Sequence, residues 1–252
     1  MLYSGLVSIS FRALSPENII CAALSAGLDG IEWGGDVHVP PGDIEKAAFV
    51  RSETENAGLI VFAYGSYFRA GCSPNPEAEF SNILASAVAL NAPVIRVWAS
   101  DKGSAELGED GYSRLITQTR LAADMAAERG ITLSFECHGN TYTDDYSSAL
   151  RLIGECGRDN VKMYWQSNQL KSDDYNLAAA HALAPFTTNI HVFHWIGGQK
   201  LSLKDGVGLW GRYINAFSQT GRGHAFLLEF MHDGRPESLT EKASTLKTLL
   251  HV

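Results

Sequence analysis

Residues 1–33, MLYSGLVSISFRALSPENIICAALSAGLDGIEW, read as one strand–helix–strand unit, and the residues just after the first strand decide the fold. The run 5–10 is short and apolar, suited to a buried strand. Ser15-Pro16-Glu17 then supplies a capping side chain, a proline at the first helical position and an early acid, and Gly27 closes the last helical turn. A second strand comes at 30–33. An open, doubly wound sheet would carry a glycine-rich phosphate turn after its first strand. Here the residues are Ser10-Phe11-Arg12, and no G-x-G-x-x-G is present.

The alternation continues to the end of the chain. Further strands are expected at 60–64, 94–99, 132–137, 161–165, 190–195 and 225–230, most of them apolar on both faces, as parallel strands covered by helices require. Between them, Pro41-Gly42-Asp43 opens a helix that Gly58 ends, and Asn75-Pro76-Glu77 opens another. An amphipathic run at 114–128 stops at Gly130. Thr143-Asp144-Asp145, Ser172-Asp173-Asp174 and Pro236-Glu237-Ser238 open three more, and a seventh helix around 209–217 has the weakest punctuation. Eight β-α units with no linker between them predict a single α/β domain over 1–252, a (β/α)8 TIM barrel.

Composition narrows the function. The chain is 45% hydrophobic, enough for a large core, and its formal charge is −8 without long runs of either sign. That balance opposes nucleic acid and anionic lipid, which call for clustered Lys and Arg. A small or neutral ligand is expected. The four cysteines show no C-x-x-C pairing, so neither a disulfide scaffold nor a zinc ribbon is expected, and a cytoplasmic setting fits. The N-terminus lacks a basic start, and no run reaches the roughly 18 apolar residues of a membrane span. Homo-oligomerisation stays open.

In such barrels chemistry gathers at the C-terminal ends of the strands. Five of the eight histidines (His38, His138, His191, His194, His232) and four of the five tryptophans (Trp33, Trp98, Trp165, Trp195) fall there. Carboxylate, imidazole and amide oxygen converging from different strands make a site for Mn, Mg, Co or Zn as a divalent cation. Aromatic faces around it suit the C–H faces of a sugar. His38, Arg69, Trp98, His138, Trp165, His194 and Trp195 are the expected substrate-binding residues of a polyol pocket.

Ser8-Ile9-Ser10-Phe11-Arg12, Ala26-Gly27-Leu28-Asp29-Gly30-Ile31-Glu32, Phe135-Glu136-Cys137-His138-Gly139-Asn140-Thr141 and Leu228-Glu229-Phe230 carry a resemblance. The chain resembles the xylose isomerase-like TIM barrel superfamily of sugar (phosphate) isomerases and epimerases, over its whole length in strand order. The resemblance implies a metal held by Glu136, Gln166, His191 and Glu229. Gln166 departs from the pattern: the family has an aspartate there, and an amide coordinates without charge, so the metal is expected to bind weakly. Asn168 is an alternative ligand.

The implied reaction is isomerisation or epimerisation beside a carbonyl through an enediolate, with Glu136 and Glu229 as catalytic proton carriers. A lyase or dehydratase on the same scaffold, and a non-catalytic carbohydrate-binding barrel, are the alternatives. The structural alternative for either glutamate is an ion pair with Arg96 or Arg69; Glu32 could orient Arg96 or Arg12.

Overall fold

The computed structural model describes residues 1–251 and closes eight parallel strands into a barrel wrapped by helices. Strands β1 (Leu2–Val7), β2 (Gly30–Gly34), β3 (Ile60–Ala70), β4 (Val94–Ala99), β5 (Thr132–Glu136), β6 (Val161–Trp165) and β7 (Thr187–Val192) are neighbours in chain order. A short antiparallel hairpin comes next, β8 (His194–Ile196) with β9 (Gln199–Leu201). Then β10 (His224–Leu228) pairs with both β7 and β1 and closes the ring.

Helices α1 (Pro16–Ser25), α2 (Ile44–Asn56), α3 (Pro76–Ala89), α4 (Glu109–Ala127), α5 (Tyr146–Cys156), α6 (Asp173–Leu183), α7 (Val207–Ser218) and α8 (Leu239–Leu250) fill the intervals. The local signals act as their chemistry requires. Ser15, Asp43, Asp145 and Ser172 each accept a backbone N–H of the first turn, which satisfies a donor that the helix itself leaves free. No helix among the described residues is long and apolar enough to cross a membrane.

Several strand ends differ from expectation, and each difference shapes the barrel's open end. Residues 8–11 leave the first strand as a 3₁₀ turn. β3 continues to Ala70 because, after a shift in register, Arg69 and Ala70 pair with Trp98 and Ala99. The expected strand 190–195 breaks at Phe193, since Gly197 and Gly198 both sit at positive φ (57° and 80°) and fold 194–201 into a two-residue hairpin. β10 ends at Leu228, and Phe230 turns into the left-handed region at φ 49°.

The barrel's interior is small and layered. Val7, Ile9, Phe62, Ala63, Val94, Tyr164, Ala225 and Leu227 form an inner cluster, separate from the larger core between sheet and helices. This inner floor seals the N-terminal end and leaves the C-terminal end for polar side chains.

Candidate active site

Side-chain alternation along each strand decides what reaches that open end. Above Val94 on β4 stand Arg96 and Trp98; above Tyr164 on β6 stands Gln166; above Leu227 on β10 stands Glu229. His191, Phe193 and Trp195 keep the same face along β7 and into the hairpin. Arg96, Trp98, Gln166, Glu229, Phe193 and Trp195, with Glu136 from β5, line a cavity of about 370 Å3, and His191 is fully buried.

Arg96 is the hub of the charged layer. Its Nε donates to Glu32 Oε1 at 2.9 Å and its Nη1 to Glu136 Oε2. Trp98 Nε1 donates to the same Glu136 oxygen. Room for this pairing comes from Gly65 on β3, where a Cβ would lie 2.6 Å from Glu32 Oε1 and 2.9 Å from Arg96 Nη2. His191 Nε2 stands 3.2 Å from Glu32 Oε2, which turns Nδ1 toward the middle of the site. Nδ1 lies 3.6 Å from Glu136 Oε1 and 3.5 Å from Glu229 Oε2, too far for a hydrogen bond and close enough for charge to act.

Burial would raise Glu32, yet the charges of His191 and Arg96 outweigh it and hold its carboxyl at about 2. The same contest, won by Arg96 and His191, keeps Glu136 well below the usual carboxylate range. Glu229 goes the other way: burial, with the Glu136 charge adding to it, raises its pKa despite His191. His191 overcomes its own burial because Glu229 and Glu32 face it, and rises to about 10.

Among the described residues, no three His, Cys, Asp or Glu side chains are already clustered as a metal-holding group. The donor set nevertheless fits a divalent cation. His191 Nδ1 and Gln166 Oε1 are buried with no hydrogen-bond partner, a costly state unless a ligand satisfies them. Three glutamates face Arg96 and one imidazole, leaving a carboxylate in excess. Donors each about 2.1 Å from one cation lie about 3–3.5 Å apart, close to the separations of His191 Nδ1 from the two glutamates.

The substrate-binding expectations divide. Trp98, His138 and Trp195 line the cavity, and Trp195 packs on Phe193 and Phe230. Trp98 is flanked by the Arg69 guanidinium at 4.0 Å and by the His138 ring, stacked at 5.4 Å, so Arg69 supports it from outside the cavity. Trp165 reaches the cavity wall while its ring packs against Trp210, Tyr213 and Phe217. His38 is buried away from the cavity, bonded to Ser8 Oγ and the Leu14 carbonyl. His194 points to the opposite face from His191 and packs on Gly206. Phe193, Phe230, Arg12 and Tyr67 also line the cavity, although no sequence signal marks them as binding residues, and the sequence suggests Arg96 and Glu32 only as an ion pair. Period-two alternation carried through the strand ends separates His191 from His194 and Gln166 from Trp165.

The sequence pattern of the xylose isomerase-like TIM barrel family matches residues 20–249. A curated protein, 3-dehydroshikimate dehydratase of Bacillus anthracis, is 27% identical over 174 residues, 65% of this chain and 60% of that protein. The match thus spans three fifths of that relative. Among solved structures, the probable 3-DHS dehydratase of Bacillus anthracis superposes with a TM-score of 0.80 at 21% identity, covering 98% of this chain and 99% of that one. D-psicose 3-epimerase of Clostridium cellulolyticum H10 gives 0.77 at 13%, covering 99% of each chain. The 3-keto-D-glucoside 4-epimerase of E. coli gives 0.74 at 15%, covering each chain in full. At these identities the structural likeness is one of fold.

Proposed function

The chain belongs to the xylose isomerase-like TIM barrel family, and we propose that it is a divalent-metal-dependent isomerase or epimerase of a sugar or polyol derivative, removing a proton from carbon beside a carbonyl. The observation that carries this reading is the pair of buried glutamates, Glu136 and Glu229, flanking the unpartnered His191 Nδ1. Glu136, Gln166, His191 and Glu229 would hold the cation. When bound, it supplies a Lewis acid for the substrate's carbonyl and adjacent hydroxyl oxygens.

The protein's own groups set the proton traffic. Arg96 and Trp98 occupy Glu136 Oε2, so Oε1 is the oxygen left to act. Glu136, held ionised, accepts the C–H proton, and the bonding pair moves onto the carbonyl oxygen to give an enediolate. Glu229, the second carboxyl beside His191 Nδ1, returns a proton to carbon. Trp195, Phe193 and Phe230 offer apolar faces to the substrate's C–H bonds and keep water off the intermediate.

One finding favours a second reading, a dehydratase: the curated relative bears that activity. The same base would then take the proton, with loss of a hydroxyl as water in place of reprotonation. Incubation with Mn2+ and a panel of free ketoses and keto-acids in D2O, followed by NMR, tests both. Deuterium entering a carbon-bound position with an isomer or epimer formed supports the first reading; net loss of water with a new double bond replaces it by the second. No exchange on any member of the panel, in protein that also fails to bind Mn2+, would remove the enzymatic reading.

A further inference from the structure

Glu229 and Phe230 are consecutive, yet both line the cavity. An extended strand sends neighbours to opposite faces, so a continued β10 would turn Phe230 outward, as it does Phe226 and Leu228. The left-handed backbone of Phe230, at φ 49°, brings both side chains to the same side. A bulky non-glycine residue does not hold that conformation unaided.

Two side chains grip the turn. The Phe230 N–H donates to Ser10 Oγ at 3.0 Å. From α8, the Lys242 ammonium donates to the carbonyls of Glu229 at 3.0 Å and Phe230 at 2.6 Å. Lys242 is only 6% exposed and is in no ion pair with a carboxylate among the described residues. Burial pushes its pKa down to about 7, so the position is an expensive one for a lysine. A helix facing the barrel would ordinarily place an apolar residue there.

We propose that Lys242 is a positioning residue: by holding the two carbonyls it fixes the left-handed turn at Phe230, aims the Glu229 carboxyl at His191 Nδ1 and sets the Phe230 ring against Trp195. The clamp stands on the geometry of the turn; only its consequence for a bound cation rests on the metal-dependent reading above.

Amide hydrogen exchange on metal-free protein tests the clamp directly. In Lys242→Met, which removes the donors and keeps the length, the Phe230 amide is expected to exchange about tenfold faster or more, with Phe226 and Leu228 unchanged. Lys242→Gln, which keeps a shorter donor, should fall between and guards against misfolding of the first variant. Mn2+ titration by calorimetry should show about tenfold weaker binding in Lys242→Met. Adding Phe230→Gly, which takes up the turn without strain, should abolish the difference that Lys242→Met makes. Unchanged exchange at Phe230 in a folded variant overturns the proposal, as does loss of protection spread evenly over α8 and β10. If wild-type protein binds no Mn2+ while the exchange result holds, the metal reading fails and the clamp stands.

Discussion

The two halves of the pocket are built on different rules. On the side of β2, β4 and β5, every charge has a partner: Glu32 and Glu136 meet Arg96, Trp98 donates to Glu136, and Gly65 leaves the space. On the side of β6, β7 and β10, Gln166 Oε1 and His191 Nδ1 have no hydrogen-bond partner, and Glu229 has a raised pKa. A fully paired cluster is a structural network; an unpaired one is a demand on a ligand. The closed half therefore holds the frame, and under the proposed function the open half supplies the free ligand atoms while Glu136, anchored in the frame through Oε2, presents Oε1 to them.

The largest effects should come from the two glutamates and should differ in kind. Glu136→Gln and Glu229→Gln are each expected to slow carbon-bound deuterium exchange by about 10³-fold or more. Glu136→Gln also strips a hydrogen-bonded partner from Arg96, so its thermal midpoint should fall; Glu229→Gln removes a buried carboxyl that makes no hydrogen bond and whose pKa burial has raised, so its midpoint should fall less. Equal losses of stability in both variants would erase the distinction between the halves.

Arg96→Met breaks the closed half outright. It takes the guanidinium from two buried carboxylates, leaving Glu32 only His191 and Glu136 only Trp98 as close partners, and an expected loss of about 3 kcal/mol should show in urea denaturation. Gln166→Met, on the open half, should cost under about 1 kcal/mol, because the oxygen it removes makes no hydrogen bond.

Stability of metal-free protein should also depend on pH from both sides. His191 is raised to about 10, so its contribution is complete below about 6.5 and is lost as pH climbs toward 10. Glu32 is lowered to about 2, so its contribution is complete above about 4.5 and is lost as pH falls toward 2. Thermal midpoints measured across this range should peak between the two limbs. The alkaline limb should disappear in His191→Asn; if that variant keeps it, the imidazole is not the group responsible.

The smallest change sharpens the comparison most. Gln166→Asp adds a charge to the open half and should tighten Mn2+ binding by about tenfold in calorimetry at fixed pH and salt. Unchanged affinity would mean that Gln166 does not face the cation, and Asn168 would take its place as the candidate.

The site was half legible. Glu136 and Glu229 could be named because each ends an apolar strand, where an acid has no place in a core, while His191 came mainly from the position the resemblance gives it. Gln166 came from resemblance, and its unpartnered oxygen is visible only in three dimensions. His38 and His194 share the strand-end signal with His191, yet they are satisfied or packed elsewhere, because proximity to a strand end says nothing about direction. The hairpin at 194–201 was signalled by Gly197-Gly198, but the apolar run before it hid the turn.

From sequence alone came the eight β-α units, their helix caps and the strand order, since all depend on periodicities of 2 and 3.6 and on residues within a few positions of each other. The charged layer's pairing did not. His191 and Glu32 meet across 159 residues, and Lys242 reaches a turn on another element; which donor takes which acceptor is settled by distances through space once the barrel has closed. That closure alone determined which side of the pocket is satisfied and which keeps buried polar atoms without a partner.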